Sequence, residues 1–321
     1  MPTRPVVFVT RRLPDAVTER LQKSYEARLN PEDRILSAAE IVEGSAGADA
    51  LIVTPADKVT AELIGKLPGS IRAIATFSVG YEHVALDAAK ARGMVVTNTP
   101  EVLTDATADI ALLLMLGAAR RAHEGEAIVR DGSWKSWATT FMLGTHMTGK
   151  RLGILGMGRI GQAVAKRARG FDMTIHYSNR RRLAPELEQG AIFHADPNEL
   201  LPHSDFLSIN CPASPETHHF LNAERIAKLP DGAVVVNTAR GAVVDDEALI
   251  VALKSGKVAA AGLDVYENEP NLNPGYRPLK NTFLLPHLGS ATVETRNAMG
   301  FKCLDNLDAF FAGKAPPDRV A

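Results

Sequence analysis

Arg240, Glu269 and His287 are the residues of this chain best suited to acid–base chemistry on a carbonyl compound. They stand in the stretches NTARG (237–241), GLDVYENEP (262–270) and PHLGSAT (286–292). A histidine titrates near neutrality and protonates a carbonyl oxygen as hydride reaches its carbon. A carboxylate beside it favours the imidazolium. A guanidinium matches the two oxygens of a carboxylate and polarises the adjacent carbonyl. Together they suit reduction of a 2-keto acid. Singly, each has a plainer reading: Arg240 as a surface ion pair, Glu269 as a solvated loop acid, His287 as a hydrogen-bonded loop histidine. Each one stands at or near the C-terminal end of a predicted strand and downstream of a dinucleotide-type turn, and that joint placement carries the catalytic reading.

That turn is Gly156-Met157-Gly158-Arg159-Ile160-Gly161, between the apolar run LGIL and the helical run QAVAK. At a strand-to-helix junction G-x-G-x-x-G is a dinucleotide fingerprint. Gly156 allows the tight turn, Gly158 lets the backbone approach a pyrophosphate, and Gly161 lets helix and strand pack closely. The helix N-terminus then offers N–H groups and a positive dipole end to the phosphates. The fingerprint continues with an acid about 20 residues on, for the ribose 2′-hydroxyl. Here the second strand runs into Ser178-Asn179-Arg180-Arg181-Arg182, without Asp or Glu. Arginines attract a 2′-phosphate that a carboxylate would repel. The expected cofactor is therefore NADP(H), with NAD(H) the alternative, and a solvated arginine face the plainer reading.

The elements that must position these groups alternate from end to end. Short β-type runs are predicted at 6–10, 50–54, 73–76 and 95–97, then at 151–155, 173–177, 206–210, 233–237, 259–263 and 282–285. Helical runs lie between them, which predicts βαβ units and parallel sheets covered on both faces. The chain has 321 residues, more than one hydrophobic core commonly serves, and the two strand series suggest two doubly wound domains. Residues 103–124 read as one long apolar helix and 290–312 as a final helix. If that final helix returns to the first domain, the domain is discontinuous. Residues 130–148 fit neither period and hold both tryptophans, Trp134 and Trp137; they could be core aromatics or contact residues.

Composition excludes several classes. With 36 basic and 37 acidic residues the formal charge is −1, which supplies no field for nucleic acid or an anionic membrane. The two cysteines, Cys211 and Cys303, form neither a disulfide framework nor a zinc motif, so a reducing cytoplasm is expected. Residues 1–10 lack a cleavage-site pattern, and the most apolar stretch is about half the ~20 residues a membrane span needs. The histidines show no metal-binding spacing, so no metal is expected, and His218-His219 read as solvent-exposed.

The motifs GMGRIGQ (156–162), NTARGAVVDDEAL (237–249), GLDVYENEP and PHLGSAT resemble those of D-isomer-specific 2-hydroxyacid dehydrogenases, over nearly the whole chain. FSVGYEHV (77–84), the Trp134/Trp137 loop and the basic stretch after the second strand are most similar to the glyoxylate/hydroxypyruvate reductase branch. The resemblance implies an α/β fold of two doubly wound parallel-sheet domains, flavodoxin-like and Rossmann, with a cleft between them. Residues 1–100 plus 291–321 would bind substrate, and 101–290 the dinucleotide. Arg240 would bind the substrate carboxylate and carbonyl, His287 would be the acid/base, and Glu269 its partner. Val79 and Gly80 would hold the carboxylate through backbone N–H groups. Arg159 and Ile160 would lie at the pyrophosphate, Pro212 beside the adenosine, and Thr238 and Asp264 at the nicotinamide ribose and carboxamide. Gly289 and Ser290 would line the mouth near substrate. The candidate cofactor set also takes in Ser178, Asn179, Arg180, Arg181, Cys211, Thr217 and Ala239.

The expected activity is NADPH-dependent reduction of glyoxylate and hydroxypyruvate to glycolate and D-glycerate. Two rivals are another branch such as phosphoglycerate dehydrogenase, whose added regulatory domain would not be expected in a chain of this length although short forms exist, and a non-catalytic dinucleotide-sensing protein of the same fold. A C2 homodimer is expected through the 103–124 helix and the 130–148 loop, with Trp134 or Trp137 reaching the partner's substrate pocket and Trp137 taken as the substrate-binding candidate.

Overall fold

The computed structural model describes residues 4–321. The first three, part of the N-terminal stretch read above for a leader, lie outside the described residues. The chain divides into two compact units, Met1–Leu103 with Ala291–Ala321, and Thr104–Ser290.

The first unit is built on five parallel strands: β1 (Val6–Val9), β2 (Glu26–Arg28), β3 (Ala50–Val53), β4 (Ala73–Thr76) and β5 (Val95–Thr97), in the order β2-β1-β3-β4-β5. Successive side chains of a strand face opposite sides. Val7, Val9, Ala50 and Ile52 therefore pack on one face, with Val17, Leu21, Met299 and Leu304 from helices Asp15–Ser24 and Val293–Phe311. Phe8, Leu51, Val53 and Ile74 pack on the other, with Ile41, Leu63 and Ile64. The final helix thus supplies core to a sheet built almost 300 residues earlier, and the chain ends beside β5, where Val320 donates to the Val96 carbonyl at 2.8 Å.

The second unit has seven parallel strands: β6 (Arg151–Leu155), β7 (Thr174–Ser178), β8 (Ile192–His194), β9 (Phe206–Ile209), β10 (Ala233–Asn237), β11 (Val258–Leu263) and β12 (Thr282–Leu284). Their order is β12-β11-β10-β9-β6-β7-β8. The order reverses between β6 and β9, which is where open α/β sheets bind ligands, at the carboxyl ends of the strands. The central strands are apolar on both faces: Leu152, Ile154, Val234 and Val236 enter one core, Leu155, Leu207, Ile209 and Val235 the other. Both units are doubly wound, as the strand–helix alternation predicts.

The helix expected over 103–124 is two helices, Thr104–Ala119 and Ala122–Arg130. Arg121 takes a left-handed conformation, φ 55°, and pairs with Glu124 at 2.8 Å. The Ala119 carbonyl, which would continue a helix, instead accepts from Thr145 N at 2.8 Å. Among the described residues no helix is long and apolar enough to cross a membrane.

Candidate active site

Strand β6 is followed directly by Gly156, whose φ of +92° only glycine adopts easily. A Cβ there would lie 2.6 Å from Cys211 N, so the turn is pressed against the end of β9. Gly156 N donates to the Ser178 carbonyl at 3.0 Å, and Met157 N to Asn179 Oδ1 at 2.6 Å. A Cβ on Gly161 would collide with the Gly156 carbonyl, whereas nothing lies within 4 Å of one on Gly158. The helix Arg159–Arg169 starts at Gly158 with no side-chain cap. Its first N–H groups are left for an anion.

Asn210 and Thr238, after the adjacent strands β9 and β10, have buried Oδ1 and Oγ1 atoms without a hydrogen-bond partner. A buried polar atom without a partner costs about 1–3 kcal/mol. An open glycine turn, an uncapped helix and two orphaned acceptors fit a nicotinamide dinucleotide. Arg180 and Arg181 are exposed, while Arg182 pairs with Glu188 at 2.8 Å, so only the first two of the run remain for a ligand. Thr217 closes its own loop, donating to the Pro212 carbonyl and accepting from Ser214 N, each at 2.8 Å.

Arg240, Glu269 and His287 follow β10, β11 and β12. Buried Asn237 sets the first segment: Nδ2 donates to the Arg240 carbonyl at 2.9 Å and Oδ1 accepts from Ala239 N at 2.9 Å. Glu269 receives Tyr266 N on Oε1 at 2.9 Å and His287 Nδ1 on Oε2 at 2.7 Å. Burial pushes the Glu269 carboxyl up, but the His287 hydrogen bond and charge, with Arg240 adding to them, hold it below the usual value. Three separate strand ends thus deliver a cation, a carboxylate and an imidazole to one place. With Nδ1 engaged by Glu269, Nε2 is the nitrogen left to exchange a proton with a substrate.

The family model of the D-isomer-specific 2-hydroxyacid dehydrogenase NAD-binding domain matches residues 112–289. The chain belongs to this dehydrogenase family. Its curated relatives include a glycerate dehydrogenase of Hyphomicrobium methylovorum, 45% identical over 96% of both chains. A glyoxylate reductase of Thermococcus litoralis is 43% identical over 99% of this chain and 97% of its own. Among solved structures, an NADPH-dependent glyoxylate/hydroxypyruvate reductase of Sinorhizobium meliloti, crystallised with NADP and malonate, superposes with a TM-score of 0.90. It is 34% identical and covers 99% of this chain and 97% of that one. The chain falls in the glyoxylate/hydroxypyruvate reductase branch and is a nicotinamide-dependent oxidoreductase of 2-keto and 2-hydroxy acids.

In this dehydrogenase Asp264 has a part that its sequence motif does not announce. It is fully buried, and its two carboxylate oxygens accept from Leu288 N at 2.6 Å and Gly289 N at 2.7 Å, while its carbonyl accepts from His287 N at 2.9 Å. Burial raises its carboxyl above the usual value, and the two backbone donors work against that. His287 sits at φ 56°, a region a non-glycine residue rarely occupies, in the segment so held. Thr107 Oγ1 adds a bond to the Gly289 carbonyl at 3.1 Å. The Tyr266 hydroxyl lies 3.1 Å and 3.0 Å from the carbonyls of Leu263 and Leu285 and so ties the β11 and β12 exits together.

The remaining expected site residues are spread over both units. Val79 and Gly80 follow β4 in the first unit, where their carbonyls accept from Asn98 Nδ2 at 2.8 Å and Ser78 Oγ at 2.6 Å. Ser290 is the last residue of the second unit. Arg159 is exposed, and Ile160 packs on the second unit's core. Trp134 and Trp137 are not core aromatics: they are 53% and 76% exposed, because residues 131–138 form no regular element to cover them. Cys211 and Cys303 are both free and buried, and burial pushes the Cys211 thiol up to about 11.

Proposed function

We propose that the enzyme reduces small 2-keto acids, glyoxylate and hydroxypyruvate foremost, to glycolate and D-glycerate, with NADPH preferred over NADH. The observation that carries the reaction is the His287 Nδ1–Glu269 Oε2 pair at 2.7 Å, with the Arg240 charge close enough to act on Glu269. The dinucleotide, when bound, supplies the hydride that adds to C2. Arg240 holds the substrate carboxylate and polarises the keto group. His287 gives the proton on Nε2 to the carbonyl oxygen, and the C2–OH product leaves the imidazole neutral until solvent reprotonates it. Glu269 keeps the ring oriented through Nδ1. Run backwards, the same groups oxidise a D-2-hydroxy acid, with neutral His287 as base.

Exposed Arg180 and Arg181, and the lack of any acid at 178–182, support NADPH. Gly156, Gly158, Gly161 and the uncapped helix after them are the proposed pyrophosphate cradle, with Thr238 and Asn210 offering their orphaned oxygens. The names of the relatives support the substrate class. We place the enzyme in a reducing cytoplasm, consistent with two free cysteines. The test is turnover followed by NADPH absorbance with glyoxylate, hydroxypyruvate, pyruvate, phenylpyruvate and 3-phosphoglycerate in the reverse direction, each with both cofactors. Fastest turnover of glyoxylate and hydroxypyruvate with NADPH is expected. Turnover confined to 3-phosphoglycerate would assign the other branch, and no turnover at all would assign a dinucleotide sensor.

A further inference from the structure

A cluster of two histidines and a glutamate lies outside the groups used above. His218 and His219 precede Phe220, and Glu267 stands in the loop after β11. Nε2 of His219 lies 3.0 Å from Glu267 Oε1, and Nε2 of His218 3.6 Å from the same oxygen. The three ligand atoms all fall within 4.8 Å of one another. A tetrahedral ion about 2.0–2.1 Å from nitrogen and oxygen donors needs them roughly 3.3 Å apart. We propose that His218, His219 and Glu267 form a binding site for a divalent transition-metal ion of the zinc type, with water completing its coordination.

Consecutive residues of an extended chain point to opposite sides. Here His219 has φ 46°, and the two rings stack on one side, centroids 4.0 Å apart and planes 23° from parallel. Both rings therefore bring a nitrogen to the same carboxylate oxygen, which places two imidazole ligands beside one oxygen ligand. The donors are held from behind. His218 N donates to the Ser214 carbonyl at 2.9 Å, and His219 N to the Ala242 carbonyl at 2.8 Å. The Glu267 backbone is packed so closely on Gly241 that a Cβ there would collide with it. Asp246, at the start of the next helix, Asp246–Ser255, lies within electrostatic reach of both Glu267 and His219. Asp246 is raised by burial first and then by the charges of Glu267 and Asp245. Two imidazoles and one carboxylate suit zinc, cobalt, nickel or copper rather than calcium or magnesium, which take all-oxygen sets.

The ion would tie the 214–219 segment to the loop that carries Glu269, two residues beyond Glu267. The site is independent of the reductase reading, because its test reads binding. Tag-free protein stripped with a chelator is titrated with Co²⁺, followed by visible absorption, and with Zn²⁺, followed by calorimetry. The expected result is one ion per chain. His218→Ala and Glu267→Gln should each weaken binding about tenfold or more, and His176→Ala, in a separate histidine cluster, should leave it unchanged. Circular dichroism of each variant separates lost ligands from lost fold, and His218, being exposed, is the safest change. Absence of a stoichiometric site, or a site unaffected by both His218→Ala and Glu267→Gln, would overturn the proposal.

Discussion

His287 gives its Nδ1 edge to Oε2 of Glu269 at 2.7 Å, and this one bond decides which face of the ring is free for chemistry. His287→Ala should therefore lower turnover by about 10²–10⁴, the usual worth of a positioned general acid. Dinucleotide affinity should change little. Glu269→Gln replaces the carboxylate that accepts from Nδ1 with a neutral amide, so the ring is held less firmly and kcat should fall. Steady-state kinetics of both variants reads this directly, and undiminished turnover in His287→Ala would sink the assignment.

Asp264 holds the histidine segment from below through two backbone donors. Asp264→Ala strands the buried Gly289 N–H, at about 1–3 kcal/mol, and the half-buried Leu288 N–H, at less. The expected result is a lower melting temperature together with a reduced kcat, because His287 loses its support. Asp264→Asn keeps one acceptor and should fall between. If Asp264→Ala melts like wild type, the two bonds do not support the loop.

Arg180 and Arg181 stay exposed, whereas Arg182 is taken by Glu188. Replacing the first two with serine should weaken NADPH by about tenfold or more, at roughly 1.5–3 kcal/mol per charge-assisted contact, and spare NADH. Arg182→Ser should instead cost stability, since it leaves Glu188, whose other partner is the Tyr177 hydroxyl at 2.5 Å, half-paired. A wild type that prefers NADH would make the arginine run a solvated face only.

Much of this was readable from the chain alone. Central strands such as β10 announce themselves because Val234, Val235 and Val236 are buried on both faces. The edge strands β2 and β8 do not: Glu26–Arg28 and Ile192–His194 are three residues each, partly exposed and without an apolar run. The break at Arg121 lacks a glycine or proline to mark it and depends on the Thr145 bond to Ala119, 26 residues away in the chain. Arg240, Glu269 and His287 were legible because each follows a strand. The grip of Asp264 on Leu288 and Gly289 was not, since it joins the exits of two different strands. The His218–His219–Glu267 cluster was hidden for the same reason, as its ligands are 48 residues apart.

A stack of three histidines should make the second unit acid-sensitive. His176 lies with its ring 5.0 Å from that of His203 and 5.3 Å from that of His194, and its Nδ1 is 3.0 Å from His194 Nε2. Burial first, then the charges of His203, His194 and Arg151, push His176 down to about 4, against a small opposing pull from Asp205. Its folded value is below its unfolded value near 6.5. The unfolded chain therefore takes up the proton first, and stability falls as pH drops from about 6.5 to about 4, by at most about 3 kcal/mol. Melting temperature against pH should show a shallower slope in His176→Gln. An equal slope would remove the histidine stack from the account.

Leu113, Val129, Trp134, Trp137, Phe141 and Leu143 are exposed on the Thr104–Arg130 helices and the loop after them. The helix Thr104–Ala119 is apolar nearly all round and buried in its own unit over most of its surface, with Leu113 exposed on the narrow remaining face. Six large apolar side chains in one stretch are costly to leave in water, and a second copy of the chain could cover them about a two-fold axis. Light scattering should give a dimer mass at micromolar concentration. In such a dimer the loop can cross to the other subunit, and Trp137, 76% exposed within its own chain, is free to close that subunit's substrate pocket. A bulky ring there would admit glyoxylate and hydroxypyruvate and crowd larger keto acids. Trp137→Ala should raise activity on phenylpyruvate relative to glyoxylate, with NADPH affinity nearly unchanged. A monomer mass would remove both the interface and the role of Trp137 across it, whereas a dimer with an unaltered substrate ratio in Trp137→Ala would keep the interface and remove only the latter.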